Sequence, residues 1–180
     1  MALPAGTRAL VLTVSDGVAA GVREDRSGAA LAERLMAMDA AVERAMVPDE
    51  VSQIAAAIRD AAADHALIVS TGGTGLTPRD VTPQAVAGVL DYAIPGFGEA
   101  MRAAGRLSTP LADLSRSGAG VCGRTLVIFV PGSPHAALES LAAVEGILTH
   151  ALETLAGPHD HDVERRTPAV AYDPAEEGGR

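Results

Sequence analysis

The chain has 180 residues, with 14 arginines and lysines against 23 aspartates and glutamates, for a formal net charge of −9. Every cation is an arginine, which excludes lysine Schiff bases, a Walker A phosphate clamp and a catalytic lysine base. The acidic balance and the 2% aromatic content argue against a nucleic-acid partner, which needs clustered positive charge and rings to stack bases. The first predicted element is a buried strand, Arg8–Val14. Apolar residues at helical spacing (Ala30, Leu31, Leu35, Met38) predict a helix over Ser27–Met38, and Ala41–Val47 follows as a strand. Asp49 reads as the N-cap of a helix from Glu50 to about Ala63. Ala66–Ser70 is a third strand, and Thr82-Pro83 opens a helix with proline at its first position. A helix over Phe97–Arg106, a strand over Leu126–Val130 and one long helix over Pro134–Leu155, with Gly146 inside it, complete the order.

Strands that read as continuous apolar runs and alternate with helices predict an α/β domain with a mainly parallel sheet covered on both faces. The domain is expected over residues 1–156. Residues 157–180 are polar and without periodicity, and read as a mobile tail. The tract His159-Asp160-His161-Asp162 within that tail reads as a solvated charged segment. One cysteine, Cys122, leaves no internal disulfide. No apolar run approaches the ~20 residues that span a bilayer, and Met1–Thr7 has no charged region followed by an apolar core. A cytoplasmic location without a membrane partner is the expectation.

In such a fold ligands bind beyond the carboxyl ends of the strands. The loops there are Ser15-Asp16-Gly17, Pro48-Asp49-Glu50, Thr71-Gly72-Gly73-Thr74-Gly75 and Pro131-Gly132-Ser133-Pro134, and all four should open on one rim. The three glycines of the third loop let the backbone approach a ligand, and successive N–H groups there can form an anion-binding concavity. A tight turn with no ligand is the alternative. Asp80, just past that loop, could hold a magnesium ion bridging to phosphate, or could pair with Arg79 or cap the next helix. Asp49 could be a cap or part of the site. Leu114-Ser115-Arg116-Ser117-Gly118-Ala119-Gly120 could contact phosphate or form a plain surface loop.

Taken in order, Thr71–Gly75, Arg79-Asp80-Val81-Thr82-Pro83, Pro95-Gly96-Phe97-Gly98-Glu99 with Met101-Arg102, Leu114-Ser115-Arg116 and Pro131-Gly132-Ser133-Pro134 resemble the molybdopterin adenylyltransferase family, the MogA/MoaB-type domain of molybdenum cofactor biosynthesis. The likeness runs from about Arg8 to Leu155 and includes Thr13-Val14-Ser15-Asp16 and Pro48-Asp49-Glu50. It implies a three-layer α/β sandwich, a homotrimer and a nucleotidyltransferase. The implied reaction is Mg²⁺-dependent transfer of AMP from ATP to the terminal phosphate of molybdopterin, releasing pyrophosphate, with a partner protein later inserting molybdate. By the same resemblance Asp49 and Asp80 are the catalytic acids, with Asp80 at the metal. Thr71, Gly72, Gly73, Thr74 and Gly75 meet phosphate, while Ser15, Asp16, Ser115, Pro131, Gly132 and Ser133 line the pocket. A MoaB-type relative that binds molybdopterin without transferring AMP is the alternative.

Overall fold

The computed structural model describes residues 2–157. Their elements run β1 Arg8–Val14, α1 Asp16–Ala19, α2 Arg26–Met36, β2 Ala41–Val47, α3 Val51–Ala61, β3 Leu67–Thr71 and α4 Thr82–Ala87. Then come β4 Tyr92–Ala93, α5 Pro95–Gly105, a 3₁₀ turn Pro110–Leu114, β5 Gly118–Cys122, β6 Thr125–Val130, α6 Pro134–Ala142 and α7 Glu145–Ala156. The strands form one six-stranded sheet in the order β2-β1-β3-β6-β5-β4. β2, β1, β3 and β6 are mutually parallel, and β5 runs antiparallel to β6 and to β4. The expected mainly parallel α/β sandwich is therefore the fold.

Alternation along the buried strands divides the core into two layers. From β1, Ala9 and Val11 join Leu31 and Leu35 of α2, Met101 of α5, Leu141 of α6 and Leu148 of α7 on one face. Leu10, Leu12 and Val14 point the other way, onto Ile54 and Ile58 of α3 and Val86 of α4. The central strands β1, β3 and β6 are thus covered on both faces, and the loops at their carboxyl ends remain open to ligands.

Three sequence expectations are corrected. The helix after β2 begins at Val51, its N-cap position is Glu50, and no side chain caps it, so Asp49 stands outside the helix. The last predicted helix is two, broken at Ala143 and Val144. Val144 leaves helical geometry (φ −118°, ψ −5°) and is 1% exposed, so its burial in the core accompanies the break, while Gly146 falls in the first turn of α7. The strand β5 was hidden by its composition, Gly-Ala-Gly, which lacks the branched residues that mark strands. Those glycines answer close packing: a Cβ at Gly118 would lie 2.9 Å from the Phe129 ring, and one at Gly120 would meet Leu90 and the Tyr92 carbonyl. The predicted tail, including His159–Asp162, lies outside the described residues apart from Gly157.

The layered core predicts an uneven response to truncation. Ile128→Ala, at a fully buried position on the central strand β6, should lower the unfolding free energy by about 2–5 kcal/mol in urea titrations. Ile147→Ala, at a position 49% exposed on α7, should stay within about 0.5–1 kcal/mol of the parent.

Candidate functional site

Each parallel strand ends at the same rim, and the four loops expected there do meet. Ser15 continues β1 and donates its amide to Val47 O at 3.0 Å, tying the ends of β1 and β2. Its hydroxyl caps the short α1 through the Val18 amide. Thr71 ends β3 and donates its hydroxyl to Pro131 O at 2.7 Å, tying β3 to the loop after β6. Gly72 donates to Val130 O at 3.1 Å. The rim is therefore stitched across every parallel strand before any ligand arrives.

The glycine loop is a shaped backbone. Gly72 (φ 102°) and Gly73 (φ 64°) both take the left-handed region, which costs other residues about 1–2 kcal/mol. A Cβ on Gly72 would run into the Val14 carbonyl, and one on Gly73 would run into the Thr82 hydroxyl. Thr82 is fully buried, with its hydroxyl donating to Gly72 O at 2.8 Å and its amide to Gly73 O at 3.1 Å. Arg116 grips the loop from behind. Its amide donates to Thr74 O at 3.1 Å, its Nε to Gly75 O at 2.9 Å, and its Nη2 to Asp80 O. The guanidinium, which also donates to Gln84 Oε1 at 3.3 Å, thus straps the loop through its carbonyls.

Two carboxylates flank this loop. Asp49 Oδ1 lies 3.3 Å from where a Gly73 Cβ would be, and Asp80 Oδ2 lies 2.9 Å from the corresponding point on Gly75. The alternatives for Asp80 do not hold. Arg79 turns away to Asp16 (2.7 Å) and Glu50 (3.1 Å), and the N-cap position of α4 is Val81. Asp80 instead accepts from the Thr77 hydroxyl at 2.6 Å and the Thr77 amide at 2.8 Å. Burial raises the Asp80 carboxyl, but those two hydrogen bonds, the Gly75 amide and the charge of Arg116 together hold it below the usual carboxylate range.

Asp16 and Asp49 hold each other by exchange. The Asp16 amide donates to Asp49 Oδ2 at 2.9 Å, and the Asp49 amide donates to Asp16 Oδ1 at 3.0 Å. With Arg79 on the far side, the Asp16 side chain stands behind Asp49 and on neither cavity wall described next. Its carboxyl is lowered, first by the Arg79 hydrogen bond and then by the Asp49 amide.

Two cavities open on the rim and share Gly73, Asp80 and Gly132. The first, about 620 Å³, is polar and is lined by Ser15, Asp49, Thr71, Gly72, Ser133 and the segment Arg23–Ser27, with Arg79 at its edge. The second, about 580 Å³, is walled by Leu76, Met101, Leu111 and Leu114, with Thr74, Gly75, Arg102, Ser115, Pro131 and Glu139 among its other members. The structure brings the predicted site residues together around this pair, Asp16 alone standing back. Sequence reading missed Arg23–Ser27, Glu139 and Leu111, and it quoted Arg102 and Leu114 within motifs without giving them a place in the site. Asp25 carried a usable signal, since it caps α2 by accepting from the Gly28 amide at 2.9 Å.

Comparison with known proteins follows the same span. Residues 10–150 match the family model described as "probable molybdopterin binding domain". The chain belongs to this family. Its relatives include a molybdenum cofactor biosynthesis bifunctional protein of Synechococcus elongatus, 46% identical over 159 residues, covering 87% of this chain and 50% of that one. A molybdopterin adenylyltransferase of Helicobacter pylori is 36% identical over 152 residues, covering 82% and 86%. The crystal structure of the molybdopterin biosynthesis enzyme MoaB from Thermus thermophilus has a TM-score of 0.79 at 44% identity, covering 84% of this chain and 98% of that one. The chain spans about half the length of the bifunctional relatives. Membership of the MogA/MoaB-type family, with relatives named molybdopterin adenylyltransferase, is what the sequence motifs implied.

The site geometry makes two predictions. Gly73→Ala should cost about 1–2 kcal/mol or more of stability, from the left-handed backbone and the Thr82 contact. By contrast Gly96→Ala, in the first turn of α5 with nothing within 4 Å of its Cβ, should be tolerated; unfolding curves of the two decide. Arg79→Gln should reduce stability at neutral pH by removing the partner that depresses the Asp16 carboxyl. A depressed folded-state carboxyl contributes stability above its unfolded value, and that contribution is lost as pH falls through the folded value. The difference between Arg79→Gln and the parent should therefore hold from pH 7 to about pH 5 and close below about pH 4, in denaturant midpoints read across that range.

Proposed function

We propose that this protein transfers AMP from ATP to the terminal phosphate of molybdopterin, giving adenylylated molybdopterin and pyrophosphate. One observation carries the reading: two cavities, each within the range of small-molecule sites, meet at a glycine loop flanked by two carboxylates. A reaction joining two phosphate-bearing substrates needs such a junction. A phosphate oxygen of the pterin substrate attacks the α-phosphorus of ATP, and the bond from that phosphorus to the leaving pyrophosphate breaks. The backbone amides of Gly73 and Thr74 are the donors offered to the charge that spreads over the α-phosphate oxygens, those of Gly72 and Gly75 being engaged by Val130 O and Asp80.

Magnesium fits the residues present. Among the described residues no group of three or more acids, histidines or cysteines forms a metal cage. Mg²⁺ is commonly held by one or two carboxylates together with substrate phosphates and water, and Asp80 with Asp49 provides that sort of donor set. When bound, the ion would neutralise phosphate charge and polarise the α-phosphorus. Asp80 enters this role already ionised, because Thr77 and the loop amides favour its charged form. Asp49 is held by the Asp16 amide with Oδ1 over Gly73, so its negative charge is aimed at the junction.

The homotrimer, a molybdate-inserting partner that consumes the adenylate, and a cytoplasmic setting belong to the same proposal. Leu107 and Leu111, 92% and 68% exposed, offer apolar surface for subunit contact. Among the described residues no helix is long and apolar enough to cross a membrane. The family description, which names molybdopterin binding and no transfer, supports a second reading, a MoaB-type binder of molybdopterin without AMP transfer.

Pyrophosphate release from ATP, Mg²⁺ and molybdopterin separates the two. Asp80→Asn should lower kcat and kcat/KM together by about two orders of magnitude while molybdopterin binding persists. Asp49→Asn should also slow turnover without loss of thermal stability, since Asp49 caps no helix and asparagine can still accept from the Asp16 amide. Wild-type rates in both variants would remove the carboxylates from the mechanism.

A further inference from the structure

The second cavity holds a cation that the transfer chemistry above does not use. Arg102 follows Gly98 by four positions on α5, so the two share a face of that helix. A Cβ at Gly98 would lie 2.7 Å from Ser117 O and 3.0 and 3.3 Å from Arg102 Nη1 and Nη2. Glycine at 98 thus opens a trough in which the guanidinium lies between α5 and the entry to β5. Within it, Nη1 donates to Ser117 O at 3.2 Å and to Ser115 O at 3.5 Å. Arg102 is half-buried and lines the cavity beside Met101, Leu114 and Ser115.

Neutral carbonyls satisfy some of the five guanidinium donors but leave its charge uncompensated. Arg102 takes part in none of the ion pairs among the described residues, whereas Arg106, one turn further on, is paired with Asp113 at 2.6 Å. The carboxylates on the same cavity are engaged elsewhere: Asp80 with Thr77, and Glu139 with the Ser108 hydroxyl. A half-buried cation in a largely aliphatic wall is costly unless an anion joins it. Its planar fork suits the paired oxygens of a phosphate, and the Ser115 hydroxyl, 2.8 Å from that of Ser117, stands next to it.

We propose that Arg102 binds a phosphate group of the ligand that fills the second cavity. The proposal rests on the reading that this cavity receives a substrate of adenylyl transfer. Both substrates carry phosphate, so the sources to be told apart are the nucleotide and the pterin. A purely structural Arg102 would brace the Ser115–Ser117 segment and would not distinguish a phosphorylated ligand from its unphosphorylated counterpart.

The test measures that distinction by equilibrium binding to the full chain. Affinities for AMP against adenosine, and for molybdopterin against its dephosphorylated form, are compared in the parent, Arg102→Gln and Arg102→Lys. The expected result is that the gain from the phosphate falls about tenfold in Arg102→Gln for one of the two pairs, and is largely kept in Arg102→Lys, which retains the charge. The pair affected identifies the source. Equal weakening of both members of each pair, or a lowered Tm with both gains unchanged, assigns Arg102 a bracing role and overturns the proposal. An Arg102-dependent gain in a parent protein that releases no pyrophosphate leaves the proposal standing and removes the transfer reading. Active transfer with both gains unchanged does the reverse, and a parent that binds none of the four ligands removes both.

Discussion

The site depends on how closely the backbone after β3 approaches the end of β1. At Gly72 there is no room for a side chain between the loop and the Val14 carbonyl, and at Gly73 none between the loop and Thr82. Only glycine permits both the approach and the left-handed turn that follows. With those two residues in place, the loop carbonyls fall to Thr82 and Arg116 and the amides of Gly72 and Gly75 to Val130 O and Asp80, which leaves the amides of Gly73 and Thr74 for a ligand. The carboxylates of Asp49 and Asp80 take their positions from the same backbone, one over Gly73 and the other over Gly75. A chain with the same sheet but a bulkier residue at 72 or 73 would keep its core and lose the floor common to both cavities.

Support for this floor comes from behind, through contacts that no short motif announces. Asp16 and Asp49 exchange amide-to-carboxylate bonds between the loops after β1 and β2, and Arg79 from the loop after β3 closes on Asp16. Three loops separated by tens of residues are thereby locked into one body. Exposed ion pairs are individually weak, so this one adds only modestly to stability while it holds Asp16, and through Asp16 the direction of Asp49.

The sheet and its rim were legible in the sequence because buried parallel strands appear as unbroken apolar runs, such as Ala9–Val14 and Leu126–Val130. The two short antiparallel strands were not, since Gly118-Ala119-Gly120 pairs by close backbone approach and Tyr92-Ala93 spans only two residues. Helix periodicity carried through Ala143 and Val144 because both are apolar and both suit the spacing, and the break between α6 and α7 falls there with Val144 buried in the core. At the site, glycines and carboxylates at strand ends were visible, since a rim location follows from the fold class. The roles of Arg79, Arg102 and Arg116 were not, because a guanidinium's partner is set by contacts between loops distant in sequence. Asp49 illustrates the same limit: its local sequence is that of a helix cap, and its true partner is the amide of Asp16.

The absence of lysine has an electrostatic consequence. Among the described residues neither cavity is lined by histidine, cysteine or tyrosine, so the ionisable groups there are carboxylates and guanidinia. Guanidinia keep their proton to beyond about pH 12, and Asp80, which both cavities share, is held below the ordinary carboxylate range. Asp80 and the guanidinia therefore set a charge at the junction that does not change across the neutral and mildly alkaline range, and a phosphate titrating there does so against that fixed background.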